Sequence, residues 1–342
     1  MKGRLIALDH WDGREAAALM VDGRLEDLLV DPLDAPRLGA IFMAKLERPL
    51  KGQGGAIVSW PGGSGFLRRA KGLSAGEMCL VQVSGFAEPG KSPPVSDKLL
   101  FKSRYAIITP GARGLNISRA IRDDDRRDAL QGLAHEGMAA APDGHGLILR
   151  SAASAASDED ILEDISAMRD AAEAVLSEKL PVGLVTQGDG PHLHAWREWS
   201  ETAEVDASDG SFEAHGILDE IEPLFSARVA LGAHNMAVEP TRALVAVDVD
   251  TGADVSPAAA LKANLAALKE LPRQLRLRGL AGQITIDLAP VAKRDRRQIE
   301  AAARAALRVD PVETELIGWT PLGHLELKRK RERTPLSTQA RP

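Results

Sequence analysis

Hydrophobic and polar positions follow a strand–helix–strand pattern in the last third of the chain. Residues 243–247 and residues 284–286 are short apolar runs, and an amphipathic segment separates them. Ser256 suits the N-cap of a helix, Pro257 suits its first position, and Gly279 suits its end. The pattern predicts a βαβ unit, in which the crossover helix makes the two strands parallel.

An aspartate follows the apolar core of each predicted strand, Asp248 after the first and Asp287 after the second. The C-terminal ends of parallel strands lie at one edge of a sheet. Two carboxylates at one sheet edge are typical of a divalent-metal site. The alternative is that each aspartate caps a helix or belongs to a turn.

Three arginines lie at the end of the predicted helix: Arg273, Arg276 and Arg278. Their spacing covers more than one face of its last turn. They are either phosphate contacts beside the metal or a solvated face that the helix dipole favours. Pro272 lies inside the same segment, and we expect it to kink the helix or break its last turns.

The first hundred residues show strand patterns. Residues 1–36 are predicted to form two strands with a turn at Asp22-Gly23. Residues 37–99 are rich in Gly and Pro, and their short apolar runs predict a small β-barrel. These runs cover residues 40–42, 56–58 and 80–83.

Helical patterns occur in three other segments, at residues 158–178, 216–225 and 294–308. A pair of histidines, His192 and His194, lies beside Trp196. Because the two histidines alternate with other residues, we interpret them as the outward face of a strand rather than as a metal site.

Composition adds limits to this picture. The net charge of −6 argues against a uniformly basic nucleic-acid surface. From Glu270 onward, however, 15 Lys and Arg residues outnumber 9 Asp and Glu residues, so this part is the candidate surface for an anionic ligand. Cys79 is the single cysteine, which excludes an intrachain disulfide and a Cys-rich zinc cluster. With no signal sequence or membrane-length apolar run, we expect a soluble cytoplasmic protein.

Residues 273–278, together with the strand at residues 284–287, resemble the catalytic core of the ribonuclease E/G family. Residues 246–252 are similar to the strand end that carries that family's first catalytic aspartate. The resemblance implies an α+β multi-subdomain fold, in which an S1/OB β-barrel and a 5′ sensor interrupt an RNase H-like subdomain. A DNase I-like α/β catalytic subdomain follows. The implied boundaries are 1–36 and 181–213 for the RNase H-like parts, 37–99 for the barrel, 100–180 for the sensor and 214–342 for the catalytic subdomain.

The resemblance also implies a metal site. Asp248 and Asp287 would hold Mg²⁺, with Mn²⁺ as an alternative, and Asp250 replaces an asparagine of the family and adds a third carboxylate. Arg329 and Arg331 match the family's Arg-rich stretch and would help to position the phosphodiester. Alternation along a strand predicts that both lie on one face, toward the metal or toward solvent. A generic basic tail is the alternative.

RNA-binding residues are implied in the barrel. Residues 64–67 resemble the family's S1 signature, so Phe66 would stack on a base, and a barrel-core phenylalanine is the alternative. Trp60 is the candidate for a second stacking aromatic, and Lys98 falls in a loop where the family has RNA-contacting lysines. The implied RNA contacts are Phe66, Lys98, Arg276, Arg278, Arg329 and Arg331.

Residues 114–119 and 146–152 resemble the family's 5′ sensor. The resemblance implies that Arg119, Arg150 and Ser151 bind a 5′-monophosphate, because Arg150 keeps the two-pronged donor and Ser151 keeps a hydroxyl. Ala120 replaces a second arginine of the family. Without the resemblance, Arg150 at a strand end is an ordinary surface residue.

These features predict a Mg²⁺-dependent endoribonuclease that hydrolyses single-stranded RNA in RNA processing or decay, with 5′-monophosphate sensing. One alternative is a non-catalytic RNA-binding or regulatory relative, which Pro272 and the loss of polar helix positions, as at Ala266, favour. Another is a metal-dependent hydrolase of a different phosphodiester. The family's Cys-Pro-x-Cys zinc link and small C-terminal domain have no match. We therefore expect no structural zinc, no membrane partner, and a monomer or a dimer formed without zinc.

Overall fold

The structure is a computed structural model that describes residues 3–50, 54–68, 72–88, 90–142, 144–177 and 180–336. The strands in these residues are β1 (Arg4–Trp11), β2 (Arg14–Val21), β3 (Arg24–Val30), β4 (Ile41–Leu50), β5 (Gly55–Trp60), β6 (Gly63–Leu67), β7 (Met78–Val83), β8 (Pro94–Ser96), β9 (Phe101–Lys102), β10 (Ala106–Thr109), β11 (Gly114–Ile117), β12 (Gly146–Leu149), β13 (Gly183–Thr186), β14 (Glu204–Asp206), β15 (Arg228–Leu231), β16 (His234–Pro240), β17 (Val245–Asp250), β18 (Gly282–Asp287), β19 (Thr314–Trp319) and β20 (Leu325–Arg329).

The α-helices are α1 (Asp124–Gly137), α2 (Asp158–Ser177), α3 (Pro191–Glu198), α4 (Ser211–Ala214), α5 (Ile217–Ile221), α6 (Pro257–Leu277) and α7 (Arg296–Val309). Short 3₁₀ turns cover Ser151–Ser154, Glu222–Phe225 and Lys293–Asp295. The three predicted helical segments are confirmed, and residue 178 of the first lies outside the described residues. The chain divides into two compact units, residues 1–33 with 203–342 and residues 34–202.

The first sheet of the first unit has the order β14-β1-β2-β3. Three antiparallel strands, rather than the two predicted, cover the N-terminal segment. The missed connection is Asp12-Gly13, which has positive φ at both residues, as has the predicted turn at Asp22-Gly23. Asp-Gly pairs favour the tight turn that joins strands of right-handed twist. Both turns could therefore be predicted from their Asp-Gly pairs.

The strand that joins this sheet from later in the chain is β14, which pairs with β1 in parallel. The resemblance placed the return at residue 181, but β13 pairs with β4 and belongs to the second unit. A short apolar run such as that of β13 can form backbone hydrogen bonds with more than one open strand edge, so its sequence pattern does not specify the pairing partner.

The second sheet of the first unit has the order β15-β16-β17-β18-β20-β19. β17 and β18 are parallel and joined by α6, so the predicted βαβ unit is confirmed. Helices α6 and α7 pack on one face of this sheet, through buried side chains such as Leu268, Leu275 and Ile299. Val247, Val249 and the other buried strand residues point to this face. Their exposed neighbours form the opposite, open face.

Helix α6 begins as predicted. Ser256 Oγ accepts a hydrogen bond from the Ala259 backbone N–H at 3.2 Å, and Pro257 is the first helical residue. Of the two outcomes expected at Pro272, a kink or a break, the break is wrong, since α6 continues to Leu277. Leu271 and Leu275 are buried on either side of the proline. Their packing against the sheet offsets the lost backbone hydrogen bond.

The second unit contains a closed barrel. Strands β4, β5, β6, β8 and β7 pair in that order, and β4 also pairs with β7. Leu46, Val58, Leu67 and Val81 form part of its core. The predicted small β-barrel within a mixed α+β fold is therefore confirmed.

The remaining sheet of the second unit has the order β11-β12-β10-β9, and helices α1 and α2 pack against it. β11 and β12 are parallel, so their C-terminal ends lie side by side. His192 and His194 lie in α3, and the strand predicted for them is wrong. Pro191 at the first position favours this helix start. Within the described residues, no helix has the length and apolar character needed to cross a membrane.

Candidate active site

Asp248 and Asp287 are direct neighbours across the parallel strands β17 and β18. The preceding pair in the register, Val247 and Ile286, is buried against the helices. Because side chains alternate along a strand, both aspartates point to the open face, where both are exposed. The expected meeting of two carboxylates at one sheet edge is therefore present in the structure.

These two carboxylates have no strong cationic partner. Among the described residues, no ion pair or hydrogen bond involves the side chain of Asp248. The Asp287 Oδ1 atom lies 3.7 Å from Nε2 of His324. Like charges that face each other on neighbouring strands repel, so this arrangement costs stability unless a cation lies between them.

Asp250 takes a different place from the one implied by the resemblance. Its Oδ1 accepts a hydrogen bond from the Gly252 backbone N–H at 2.8 Å and so forms the turn after β17. In the described part of the chain, no three His, Cys, Asp or Glu side chains form a metal-binding group. The structure therefore joins Asp248 with Asp287 but gives Asp250 a turn-forming role.

Two neighbours of the aspartates were missed in the sequence. His324 directly precedes β20, whose Leu325 pairs with Ile286, so the imidazole lies across from Asp287. Asn264 is fully buried in α6, and its amide exchanges two hydrogen bonds of 2.9 Å with the backbone of Ala289. The sequence did carry a signal for Asn264, because an asparagine among the apolar positions of a helix is costly to bury unless its amide is hydrogen-bonded.

The arginines at the end of α6 point inward. Arg276 is only 9% exposed, donates to the carbonyl of Glu26 at 2.6 Å, and forms an ion pair with Asp310. Arg278 is 6% exposed and donates to the Ser226 carbonyl at 2.6 Å. Neither the predicted phosphate contact nor the solvated face matches this placement. Their guanidinium groups connect the helix end to distant backbone and carboxylate groups.

Arg329 is also buried, with its guanidinium 3.0 Å from Asp310. It follows Leu325 and Leu327 in the alternation of β20, so it faces the helices and not the open face. Arg329 pairs with Gly282, which is the opposite end of β18 from Asp287. Gly282 and Asp287 are five residue steps apart along the strand, which corresponds to about 16 Å. The expectation that Arg329 positions the phosphodiester beside the aspartates is therefore corrected.

Arg331 lies just after β20, and its guanidinium packs over Gly282. This position is also the far end of β18 from Asp287. Arg331 is partly buried in this place. The sequence predicted one face for Arg329 and Arg331, but the strand ends between them, so the alternation does not extend to Arg331.

The predicted 5′-phosphate residues lie together at one sheet edge. Arg119 and Ser151 are exposed, and they follow the parallel strands β11 and β12. The Ser118 N–H donates to the Leu149 carbonyl at 2.8 Å, which holds the two strand ends side by side. Arg150 is different, because its guanidinium contacts Glu198 at 2.5 Å and the Ser103 carbonyl at 2.7 Å.

In the barrel, Phe66 and Trp60 have opposite orientations. Phe66 alternates with buried Leu67 and lies partly exposed on the outer surface, which removes the barrel-core alternative. Trp60 packs on the core side, with its ring stacked on Phe42 at 4.1 Å between centroids. Trp60 is therefore a core residue and not a second stacking platform. Lys98 lies exposed in the loop before β9.

Comparison with known proteins adds a separate finding. The chain matches the Ribonuclease E/G family over residues 101–204 and 192–332. Ribonuclease E of a Nostoc species is 27% identical, over 96% of this chain and 55% of that protein. Ribonuclease G of Salmonella typhimurium is 26% identical, over 75% of this chain and 60% of its own length. Ribonuclease E of Escherichia coli is 27% identical, over 76% of this chain and 28% of its own length. The chain therefore spans between 28% and 60% of the length of these three relatives.

Proposed function

Because the chain belongs to the ribonuclease E/G family, we propose that it is a metal-dependent endoribonuclease that hydrolyses single-stranded RNA. The observation that supports this most is the pair of exposed carboxylates, Asp248 and Asp287, in register on parallel strands. We assign the six-stranded sheet with α6 and α7 as the DNase I-like catalytic part, and the β14-β1-β2-β3 sheet as the RNase H-like part.

The two aspartates fit a hard divalent cation such as Mg²⁺. Mg²⁺ is bound in proteins through one or two carboxylates, with water or substrate oxygens filling its other positions. The repulsion between Asp248 and Asp287 is relieved when a cation lies between them. The bound ion would offset negative charge on the scissile phosphate and assist formation of the nucleophile.

The protein itself supplies a rigid frame for these carboxylates. Backbone pairing on both sides of β18 holds Asp287, and Asn264 holds the segment that follows it. His324 lies next to Asp287, with Nε2 at 3.7 Å from Oδ1 of the aspartate. Pre-positioned ligands reduce the reorganisation needed when the phosphate binds.

The barrel and the β11–β12 edge complete the proposed RNA path within the second unit. Phe66 offers a partly exposed ring on which a base stacks, and Lys98 offers an exposed positive charge for the backbone. Arg119, Arg150 and Ser151 are assigned to the 5′ end of the RNA, where a terminal monophosphate accepts hydrogen bonds.

Cleavage of one labelled single-stranded RNA tests the proposal. We expect internal cuts in the presence of Mg²⁺, none after chelation with EDTA, and activity with Mn²⁺ in its place. Glu239→Gln is the matched control, because Glu239 is an exposed carboxylate on the same open face. Full cleavage in EDTA, or cleavage by the Asp287→Asn protein at the wild-type rate, contradicts the mechanism.

A second function, RNA binding without cleavage, is supported by the burial of Arg276, Arg278 and Arg329, which removes three proposed phosphate contacts. The same experiment separates the two functions, since a binding relative retains the RNA in a filter or gel-shift assay but leaves it intact. Solution mass before and after chelation tests the expected monomer or zinc-independent dimer. A dimer that dissociates on zinc removal contradicts that expectation.

A further inference from the structure

The guanidinium group of Arg150 is already occupied by partners within the second unit. One of its terminal nitrogens lies 2.5 Å from Oε2 of Glu198, and the other donates to the Ser103 carbonyl at 2.7 Å. The second nitrogen is also 3.4 Å from the Arg197 carbonyl. An Arg–carboxylate contact of this length is a charge-assisted hydrogen bond, roughly twice as strong as a neutral one.

Glu198 is held in place from two sides. It is the last residue of α3, and its other oxygen, Oε1, accepts a hydrogen bond of 2.8 Å from Nε of Arg197. Burial raises the pKa of Glu198, but the charges of Arg150 and Arg197 outweigh this effect and leave the pKa below its ordinary value. The carboxylate therefore stays ionised at neutral pH.

We infer that Glu198 is a specificity-determining residue that occupies one terminal nitrogen of Arg150, so that RNA with a 5′-monophosphate must displace it to bind there. This inference rests on the proposed function, which assigns Arg150 to the 5′ end. A terminal phosphate and the Glu198 carboxylate are both anions that compete for the terminal nitrogen of Arg150 that Glu198 contacts, since the Ser103 carbonyl accepts from the other nitrogen. They cannot both use it, and each repels the other.

The other two residues predicted to bind the 5′-phosphate, Arg119 and Ser151, are not covered by Glu198. Arg119 and Ser151 are exposed, so a phosphate approaching the ends of β11 and β12 meets one cation and one hydroxyl without displacing Glu198. The wild-type protein therefore gains little from a 5′-monophosphate compared with a 5′-hydroxyl. Removing the charge of Glu198 removes the competitor and the repulsion together.

The test measures binding with cleavage disabled by EDTA. One fluorescent single-stranded oligoribonucleotide is prepared with a 5′-monophosphate and with a 5′-hydroxyl, and the ratio of the two dissociation constants is measured by anisotropy. We expect a ratio within about threefold for the wild type, since one exposed cation contributes little. For Glu198→Gln we expect the preference for monophosphate to rise by about fivefold or more, because an uncharged amide no longer opposes the dianion.

Asp158→Asn is the matched control. Asp158 forms an ion pair with Arg126 at 3.0 Å in the same unit, so this variant also removes one carboxylate from an arginine. Its ratio should equal that of the wild type. Adding Arg150→Gln to Glu198→Gln should return the ratio to the wild-type value, which shows that the gain passes through Arg150. Circular dichroism and thermal unfolding identify variants that do not fold, and Glu198→Asp then serves as the smaller change, with a gain expected from its shorter reach.

Three outcomes overturn the inference: an unchanged ratio in folded Glu198→Gln, a strong monophosphate preference already present in the wild type, or an equal rise in Asp158→Asn. None of these depends on cleavage, which the Mg²⁺ experiment measures separately. If the protein cuts no RNA but Glu198→Gln gains the preference through Arg150, the proposed catalysis fails and the inference stands. If it cuts RNA and the ratio does not change, the inference alone fails.

Discussion

The six-stranded sheet carries charged groups on both of its faces, and the two faces differ in how those charges are balanced. On the helix-covered face, Arg329 and Asp310 lie 3.0 Å apart, and both side chains are 1% exposed. On the open face, Asp248 and Asp287 face each other with the same charge and remain exposed. Charges that satisfy each other hold the fold, whereas like charges left side by side indicate a place for an added cation.

The strongest test of this difference changes the open face. Asp248→Asn or Asp287→Asn should lower the cleavage rate on the order of 10³-fold, because a metal ion supplies several kcal/mol of transition-state stabilisation. The double variant should be little worse than either single one, since the two groups act as a unit. Thermal unfolding should show equal or higher stability, because removing one charge ends the repulsion. Rate constants for a fixed RNA check the first point, and additive losses would contradict it.

The converse change is made on the covered face. Asp310→Asn leaves the buried Arg329 without its counter-charge and removes one of the carboxylates that pair with Arg276, so we expect the free energy of unfolding to fall by about 3 kcal/mol. Urea denaturation measures this loss. The control is Glu313→Gln, which removes an exposed partner of Lys330 and should cost less than about 1 kcal/mol. Equal losses in the two variants would show that the buried pairs have no special structural role.

A third change concerns the segment that follows Asp287. Asn264→Ala leaves the N–H and the carbonyl of Ala289 without their partners, which should cost about 2 kcal/mol in unfolding free energy. It should also weaken Mg²⁺ binding, measured by calorimetry, because the segment after Asp287 loses its support. The control is Gln283→Ala, because Gln283 is an exposed residue of β18, the strand that ends at Asp287. This variant should change the unfolding free energy by less than about 0.5 kcal/mol. Unchanged metal affinity in a destabilised Asn264→Ala would limit Asn264 to a structural role.

The smallest expected effect concerns Asp206, a hydrogen-bonded surface carboxylate in the first unit. Hydrogen bonds from Ser208, with a further one from His215, lower the pKa of Asp206 to about 2. A lowered pKa contributes stability above the unfolded value near 3.8, and this contribution is lost as pH falls toward 2. Asp206→Asn should therefore be less stable than the wild type at pH 5, with the difference disappearing as pH falls through about 2. Parallel denaturant titrations across this range check it, and a difference independent of pH would contradict it.

Much of the fold could be predicted from local pattern. The βαβ unit, the cap at Ser256, the barrel and the Asp-Gly turn at Asp22 follow from alternation, capping and turn chemistry within a few residues. The meeting of Asp248 with Asp287 also followed, because a parallel crossover brings strand ends to one edge. These features depend on interactions that short stretches of sequence carry themselves.

The contacts of the long polar side chains could not be predicted from local sequence pattern. Arg276 donates to a carbonyl 250 residues away in sequence, and Arg150 meets a carboxylate 48 residues away. An arginine at a helix or strand end has the same local pattern whether it contacts RNA or closes an internal network. Only the packing of distant segments decides which anion is nearest.

The sequence by itself therefore determined most of the strands, helices and turns and which two carboxylates share an edge, because backbone periodicity acts over short range. Tertiary structure decided that β13 joins the barrel, that Arg329 faces the helices, and that Glu198 reaches Arg150. The physical reason is that a charged group is stabilised by whichever opposite charge or hydrogen-bond partner the folded chain brings within reach.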